Sequence, residues 1–310
     1  MQLAETDIRL LRVFWVVVNK GGFTAAELSL GKSKSAISAD ISALETRLGL
    51  KLCQRGRSGF ELTPEGAKIH EAVGALLDHL DQFRDRVDQA KGHLSGVLSL
   101  YVTDNIVTNS ASPIIETLAV FSRHYPEVFI DLVSAPADVI EQAVLDGRAR
   151  LGISGMPRLE PTLDLRPLFK ERLHLYCGNL HPLFNMPDGA ITPEGLAEHK
   201  VIAVSAGVTG PQWPIWLEKL RFAARAGSID ARTILLLTGE YLGFLPHEYA
   251  EPWVRDGRLR ALAPDRLVLG NVFYLMAKRG APASQIVKRF SSILNEQFHK
   301  KDQNLGDFEK

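Results

Sequence analysis

Short polar side chains and two lysines are concentrated between Phe23 and Leu48, among apolar residues that recur at helical spacing. The apolar residues step by four, three and four, which predicts one inward helix face, and they are Ile37, Ile41, Leu44 and Leu48. The opposite face carries short groups that fit a major groove and hydrogen-bond to base edges or phosphates. We predict such contacts from Thr24, Lys32, Ser33, Lys34, Ser35, Ser38, Ala39 and Ser42.

Capping and turn signals divide this stretch into two helices. Thr24 and Glu27 fit a capping box with Phe23 as its hydrophobic staple, so the first helix is predicted to begin near Thr24. Gly31 interrupts that helix, and Ser33 is a good cap for the second one. Two short helices joined by a glycine turn are typical of a helix-turn-helix; the alternative is an ordinary helical hairpin.

The flanking segments complete a small domain. Upstream, a helical stripe suited to packing under the hairpin is formed by Ile8, Leu11, Phe14, Trp15 and Val18. Downstream, two strand-like pieces surround a turn that contains Arg55 and Arg57. We predict a wing that lays these arginines over phosphates; the alternative is a solvated loop.

A long helix is predicted after the wing. Thr63 is a capping residue, Pro64 takes the first helical position and Glu65 places an acid in the first turn. The helix then carries a heptad stripe formed by Ile69, Val73, Leu76, Leu80, Phe83 and Val87. We expect this stripe to pair two copies of the chain as a coiled coil, which would set the separation of two DNA-binding units. The alternative is packing on its own chain.

Residues from about Ile8 to Ala90 resemble the N-terminal part of LysR-type transcriptional regulators. The resemblance rests on Gly22-Phe23-Thr24-Ala25-Ala26, on Ser33-Lys34-Ser35-Ala36-Ile37-Ser38 and on Leu62-Thr63-Pro64-Glu65-Gly66. It implies a homodimer, paired further into a tetramer, on a double-stranded DNA operator, with recruitment of RNA polymerase as the readout. Family members usually carry glutamine at the position of Lys34, so the base code of the family does not transfer.

Composition agrees with a DNA-binding protein of the cytoplasm. The chain has 310 residues, 45% of them hydrophobic, which is enough for two or more cores. Its net charge is zero, but nine basic residues face six acidic ones up to Thr63, so DNA affinity is expected to be modest and salt-sensitive. Only two cysteines are present, which fits a reducing cytoplasm. The apolar run Val13–Val18 is too short for a membrane span.

After Gly96 the pattern changes to alternating strands and helices. The predicted elements are strand Val97–Val102, helix Pro113–Tyr125, strand Val128–Val133, helix Ala137–Asp146 and strand Leu151–Ser154. This order predicts a parallel sheet with helices on both faces. Later elements are strands at Leu173–Cys177, Val201–Val204, Ile234–Leu237 and Val272–Ala277 and a helix at Ser284–Phe298. The predicted domains are residues 1–63, a linker helix 64–92, an α/β domain 93–300 and a polar tail 301–310.

In such sheets, ligands bind beyond the carboxyl ends of the strands. Polar or small residues follow several predicted strands there: Thr103, Asp104, Asn105, Ser134, Ser205, Gly207, Thr209, Thr238 and Gly239. Each one alone fits a helix cap or a turn, and together they outline a pocket. Asp104 either caps the next helix or repels an acidic ligand, so the charge of the ligand stays open.

The second half also resembles the effector-binding region of LysR-type regulators, on Leu118–Leu132, His181-Pro182 and Gly243-Phe244-Leu245-Pro246. That region is similar to periplasmic binding proteins, with two α/β lobes, crossover strands and a small inducer between the lobes. The expected fold is therefore a winged helix-turn-helix and a coiled-coil linker helix, followed by a two-lobed α/β periplasmic-binding-protein-like effector domain.

The expected function is regulation of transcription by operator binding that a small-molecule inducer modulates. An enzyme is disfavoured, because the sequence lacks a zinc-spaced histidine pair, a glycine-rich phosphate loop and a nucleophile elbow. No cofactor or metal is expected. The competing hypothesis is an architectural DNA-binding protein that ignores ligands.

Overall fold

The N-terminal unit is a three-helix arrangement with a two-stranded wing and a long helix. The computed structural model describes residues 4–56, 59–91, 93–155, 161–203, 214–281 and 283–306. The first elements are α1 (Glu5–Asn19), α2 (Phe23–Leu30), α3 (Lys34–Leu48), β1 (Cys53–Gly56), β2 (Gly59–Leu62) and α4 (Pro64–Lys91). Their shared core is apolar and includes Phe14, Val17, Ile37, Leu44 and Leu52. The predicted hairpin, wing and long helix are confirmed.

Two of the three predicted helix caps are confirmed. The Ser33 hydroxyl accepts a hydrogen bond from the Ala36 amide at 3.3 Å, and Thr63 Oγ1 accepts one from the Gly66 amide at 2.8 Å. The capping box at Thr24 is wrong, because α2 begins at Phe23 with Gly22 as its cap residue. Gly22 has a φ of 142°, and a β-carbon there would lie 3.2 Å from Phe60, so a contact from the wing sets this helix start.

The remaining elements form one α/β domain. They are β3 (Gly96–Val102), α5 (Ile114–His124), β4 (Val128–Ser134), α6 (Ala137–Leu145), β5 (Leu151–Gly155), β6 (Leu163–Gly178), α7 (Pro193–Leu196), β7 (Lys200–Ala203), β8 (Arg221–Arg225), α8 (Ile229–Leu237), β9 (Tyr241–Pro246), α9 (His247–Arg255), β10 (Leu259–Ala261), β11 (Val268–Lys278) and α10 (Gln285–Gly306).

The strands join two lobes into a continuous sheet of order β4-β3-β5-β11-β6-β9-β7-β8, with β10 also paired to β6. Lobe 1 contains the parallel strands β4, β3 and β5, and lobe 2 contains the parallel strands β9, β7 and β8. The long strands β6 and β11 pair antiparallel and run through both lobes. Each lobe has its own apolar core, centred on Phe121 and Phe290 in lobe 1 and on Leu175 and Phe244 in lobe 2.

One predicted strand of this domain is wrong, and the last helix is longer than predicted. Ile234–Leu237, expected as a strand, lies at the end of α8, whose start is capped by Ser228. A short apolar run fits a buried helix face as well as a strand, and here Leu236 is buried while Ile234 is exposed. The polar tail predicted from residue 301 continues α10 to Gly306. Lys301 Nζ anchors that turn by donating to the carbonyl oxygens of Ser110 and Ser112.

Candidate functional site

The outward face of α3 brings most of the predicted DNA contacts together. Ile37, Ile41 and Leu44 point into the core, which leaves the other side of the helix to solvent. The exposed residues of this surface are Ser33, Lys34, Ser35, Ala39 and Ser42, with Ser38 half-buried among them and Thr24 exposed in the first turn of α2. The arrangement presents short side chains on a convex helix, as groove reading requires.

Asp40, an acidic residue of α3, forms ion pairs with Lys32 and with Arg9 of α1. Asp40 accepts from Lys32 Nζ at 2.6 Å and from Arg9 Nη1 at 3.1 Å. Although partial burial opposes the shift, these hydrogen bonds hold the pKa of Asp40 below its ordinary value. Lys32 is therefore partly neutralised, whereas the Lys34 ammonium forms no ion pair with the side chains that the structure describes; only the Lys34 amide donates to Glu27.

Glu45 anchors the recognition surface to the base of the wing, a role that the sequence pattern did not reveal. Its Oε1 accepts from the amides of Leu52 and Cys53 at 2.8 and 3.2 Å, and Oε2 accepts from Lys51 at 2.6 Å. Burial raises the pKa of this carboxyl, but the hydrogen bonds outweigh it and the net shift is downward. A second carboxylate, Asp7 of α1, pairs with Arg47 at the end of α3.

The wing has the predicted backbone, with β1 and β2 antiparallel and Arg55 opposite Phe60. Arg57 lies outside the described residues, and of Arg55 only the backbone is described. The prediction that both side chains reach phosphates therefore stays a prediction.

The apolar stripe of α4 is divided between two environments. Ile69, Val73 and Leu76 pack on the core of the N-terminal unit, and Val73 is only 3% exposed. Val73 is therefore used by the chain's own core, whereas Ile69 and Leu76 are only partly buried and their predicted contact with a partner helix stays a prediction. Farther along, Phe83 is 67% exposed. Any coiled-coil pairing therefore depends mainly on the distal residues Leu80, Phe83 and Val87.

In the α/β domain, one of the predicted pocket residues, Asp104, makes a contact between the lobes. Asp104 follows β3 of lobe 1, and its Oδ2 accepts from the Ile229 amide at the start of α8 in lobe 2, at 2.5 Å. It thus caps a helix of the opposite lobe and not the next helix in the chain, which corrects the prediction. Beside it, Thr103 Oγ1 and Asn105 Nδ2 are buried without a hydrogen-bond partner among the described residues.

A second carboxylate also bridges the lobes. Glu248 lies in the first turn of α9, and it accepts from the Ser110 amide at 2.7 Å and from the Ser110 hydroxyl at 2.5 Å. The sequence pattern assigned no role to Glu248. The signal in the sequence was an acid in the first turn of a helix. It could not reveal the contact, because Ser110, which donates to Glu248, is 138 positions away.

A cavity of about 330 Å³ opens between these contacts. It is bordered by the loop Thr108–Ala111 of lobe 1, by Glu171 in the crossover strand β6 and by Pro246, His247 and Glu248 of lobe 2. Burial raises the pKa of the Glu171 carboxyl, although Asn271 and Asn109 donate to it. Nearby, Arg232 of α8 is buried and donates to the Phe244 carbonyl oxygen at 2.8 Å.

None of the predicted pocket residues that the structure describes, Thr103, Asp104 and Asn105 included, borders this cavity. Thr238 and Gly239 lie at the carboxyl end of α8, where Thr238 Oγ1 donates to the Leu235 carbonyl oxygen and accepts from the Glu240 amide. Their assignment is wrong because the strand expected before them is a helix. Ser134 is exposed at the end of β4 and does not border the cavity. Ser205, Gly207 and Thr209 lie outside the described residues.

Within the described ranges, no group of three or more His, Cys, Asp or Glu side chains is placed to hold a metal ion. In the same ranges, no helix is both long enough and apolar enough to cross a membrane.

At the cavity, His174 and His247 stack with their ring centroids 5.1 Å apart, and burial lowers the pKa of His174.

Two family models together match most of the chain. The model "Bacterial regulatory helix-turn-helix protein, lysR family" matches residues 8–67, and the model "LysR substrate binding domain" matches residues 91–299. These spans correspond to the N-terminal unit and to the two-lobed domain.

Full-length relatives and solved structures agree with these matches. The HTH-type transcriptional activator BauR of Pseudomonas aeruginosa is 36% identical over 295 residues, which cover 93% of this chain and 94% of BauR. A full-length OxyR variant from Pseudomonas aeruginosa superimposes with a TM-score of 0.62 at 18% identity, over 96% of this chain and 95% of that one. Full-length CbnR complexed with its target DNA superimposes with a TM-score of 0.56 at 20% identity, over 94% and 99%.

Proposed function

The chain belongs to the LysR family of transcriptional regulators, which bind DNA and respond to small-molecule effectors, and we propose that α3 is its recognition helix and that the interlobe cavity is its effector site. The observation that supports the first assignment is the outward face of α3, which is free of the core and flanked by the wing. The relative BauR is named as a transcriptional activator, and the chain is not an enzyme.

On DNA, the N-terminal half of α3 enters the major groove. Ser35 and Ser42 lie on the exposed side of the helix and reach base edges or phosphates, and Lys34 contributes a charge to the phosphate backbone. Lys32 positions Asp40 and contributes less charge to DNA, because it is already paired. Arg55 and Arg57 of the wing add phosphate contacts beside the groove.

Dimerisation places two such units on a two-fold operator. Leu80, Phe83 and Val87 of α4 form the pairing surface, since the proximal part of the stripe is partly covered by its own domain. The dimer reads an inverted repeat, and two dimers assemble as a tetramer. The regulator acts in the cytoplasm, and its readout is recruitment of RNA polymerase.

Effector binding changes the lobe arrangement. Two contacts hold lobe 1 to lobe 2 near the cavity, Asp104–Ile229 and Ser110–Glu248. A ligand that binds one arrangement of the lobes better than another shifts that equilibrium, and with it the placement of the DNA-binding units. The cavity and the unpartnered polar atoms of Thr103 and Asn105 favour this function over a ligand-insensitive architectural role.

Ser35→Glu tests the recognition surface. A glutamate in the first turn of α3 suits the helix dipole, so the fold is retained while the carboxylate repels phosphates. We expect operator affinity to fall at least about tenfold in a gel-shift titration on genomic fragments retained by the wild-type protein. Ser122→Glu on the exposed side of α5 is the matched control and should bind normally. Full affinity of the Ser35 variant would contradict the docking of α3.

A further inference from the structure

The floor of the interlobe cavity contains a carboxylate with few local partners. Glu171 lies in the middle of β6, where this strand crosses between the lobes, and its register partner on β11 is Asn271. Asn271 Nδ2 donates to Glu171 at 3.0 Å, whereas Asn109 Nδ2 donates at a long 3.5 Å. A buried carboxylate is stabilised in its charged form only by good hydrogen bonds or a nearby cation.

A second acceptor belongs to Asn271, which donates to Glu171 and lies just behind the cavity lining. Asn271 is 5% exposed, and its Oδ1 makes no hydrogen bond within the described part of the chain. The position of this amide depends on Gly155 of the facing strand β5, because a β-carbon at Gly155 would lie within 2.5 Å of both amide head atoms. A buried acceptor without a donor costs free energy, so this place favours an incoming N–H group.

The buried charges around the cavity are unbalanced. Two partly buried carboxylates, Asp104 and Glu171, lie near one buried guanidinium, that of Arg232, whereas Glu248 is exposed. Asp104 and Glu248 are already bonded to lobe contacts, which leaves Glu171 as the carboxylate that faces the cavity with the weakest hydrogen bonds.

The other cations at the cavity do not restore the balance. Lys170 and Arg172 border the cavity on either side of Glu171 along β6, but both are exposed. Water and salt screen exposed charges far more than buried ones, so these two side chains compensate Glu171 weakly. His174 and His247 stack on the wall, and burial lowers the pKa of His174, which opposes a positive charge on that ring.

We propose that the cavity binds its effector through a primary ammonium group, with the Glu171 carboxylate as the ion-pair partner and the Asn271 carbonyl oxygen as a second acceptor. An ammonium group has three N–H donors and a compact charge, so it can satisfy both acceptors at once. The remaining ligand atoms lie along Ala111 and Pro246. This inference rests on the proposed function, for which the cavity is the effector site, and it names the chemical class of the ligand.

The first experiment compares ligand classes on the full-length wild-type protein. n-Butylamine, n-butanol and butyrate are added at equal concentration and fixed pH and ionic strength, and thermal unfolding is followed. We expect the amine alone to raise the unfolding temperature, since only ligands that bind the folded state stabilise it. Stabilisation by butyrate, or no stabilisation by the amine, overturns the proposal.

The second experiment tests the residue. Glu171→Gln keeps the shape of the side chain and removes its charge, and amine affinity by calorimetry should fall about tenfold or more. Glu127→Gln, an exposed carboxylate at the start of β4, should bind the amine as the wild type does. Unchanged affinity of the Glu171 variant overturns the assignment. Circular dichroism of each variant without ligand reports on folding.

DNA binding of the wild-type protein without amine separates this inference from the proposed function. Operator binding without any amine response rejects the ligand class alone. If the wild-type protein binds no operator, the proposed regulator function is rejected, whatever the amine result.

Discussion

The recognition surface and the interlobe cavity place their charged groups in opposite environments. Lys34 and its neighbours on α3 are exposed, so their interactions with DNA are screened by salt and each contributes little. Behind the cavity, the cationic Arg232 and the neutral Asn271 are 93% and 95% removed from solvent, and the Glu171 carboxylate that Asn271 contacts is partly buried. Binding at the surface should therefore be spread over many residues and depend on salt, whereas binding in the cavity should depend on few residues.

Removal of the buried cation should give the largest effect on stability. Burial lowers the pKa of Arg232, and the nearby Asp104 and Glu171 oppose that shift. Arg232→Met leaves Asp104 and Glu171 without their nearby buried cation. The free energy of unfolding, measured by urea titration, should therefore fall by about 3 kcal/mol. Arg225→Met on the exposed edge strand β8 is the control and should change little. An equal, small effect of both substitutions would remove the contrast between buried and exposed charges.

Glu45→Gln should cost about 1–3 kcal/mol at pH 7, because two buried amides lose a charged acceptor. The folded-state pKa of Glu45 is below its ordinary value of 4.5, so its stabilisation is present above that pH and is lost as the pH falls through the folded value. The difference between wild type and variant, measured by urea unfolding, should therefore shrink below pH 4.5. A difference that is constant with pH would contradict the charged role of Glu45.

Glu171 should respond to acid in the opposite direction. Its pKa is raised in the folded state, so ionisation opposes folding above that value and the wild type gains stability as the pH falls toward 4.5. Glu171→Gln removes this dependence, so the same titrations should show the wild type improving relative to the variant on acidification. A trend of the same sign as that of Glu45 would erase the distinction between the two regions.

A smaller effect is expected from the lobe contact at Asp104. Asp104→Ala removes the acceptor of the Ile229 amide, while Ser228 still caps α8, and it should lower the free energy of unfolding by about 1 kcal/mol. Asp131→Ala, exposed on the edge strand β4, is the matched control. If both variants unfold at the same urea concentration, the contact between the lobes contributes nothing in solution.

The smallest effect is expected at the exposed surface. Lys34→Ala should weaken operator binding a few-fold and lower the slope of log affinity against log salt by about 1, as expected for one phosphate contact. Lys288→Ala on α10 should leave both quantities unchanged. A tenfold loss that does not vary with salt would instead indicate a base contact by Lys34.

Much of the N-terminal unit is readable from sequence because its signals act over three or four residues. Ser33 and Thr63 cap the helices that follow them, and the spacing of Ile37, Ile41 and Leu44 sets the buried face of α3. Where a contact from another element intervenes, the local signal fails: Phe60 packs at Gly22, and α2 begins without the predicted capping box.

What the sequence by itself determined was therefore the order of the domains, most of the helices and strands, and the exposed face of α3. Only the tertiary structure decided which polar residues meet in the cavity, since Asp104 and Ile229 are 125 positions apart. It also decided that Ile234–Leu237 is helical and that the proximal stripe of α4 is partly covered by its own domain. Residue spacing encodes a local period, whereas the partner of a buried charge depends on how distant strands cross.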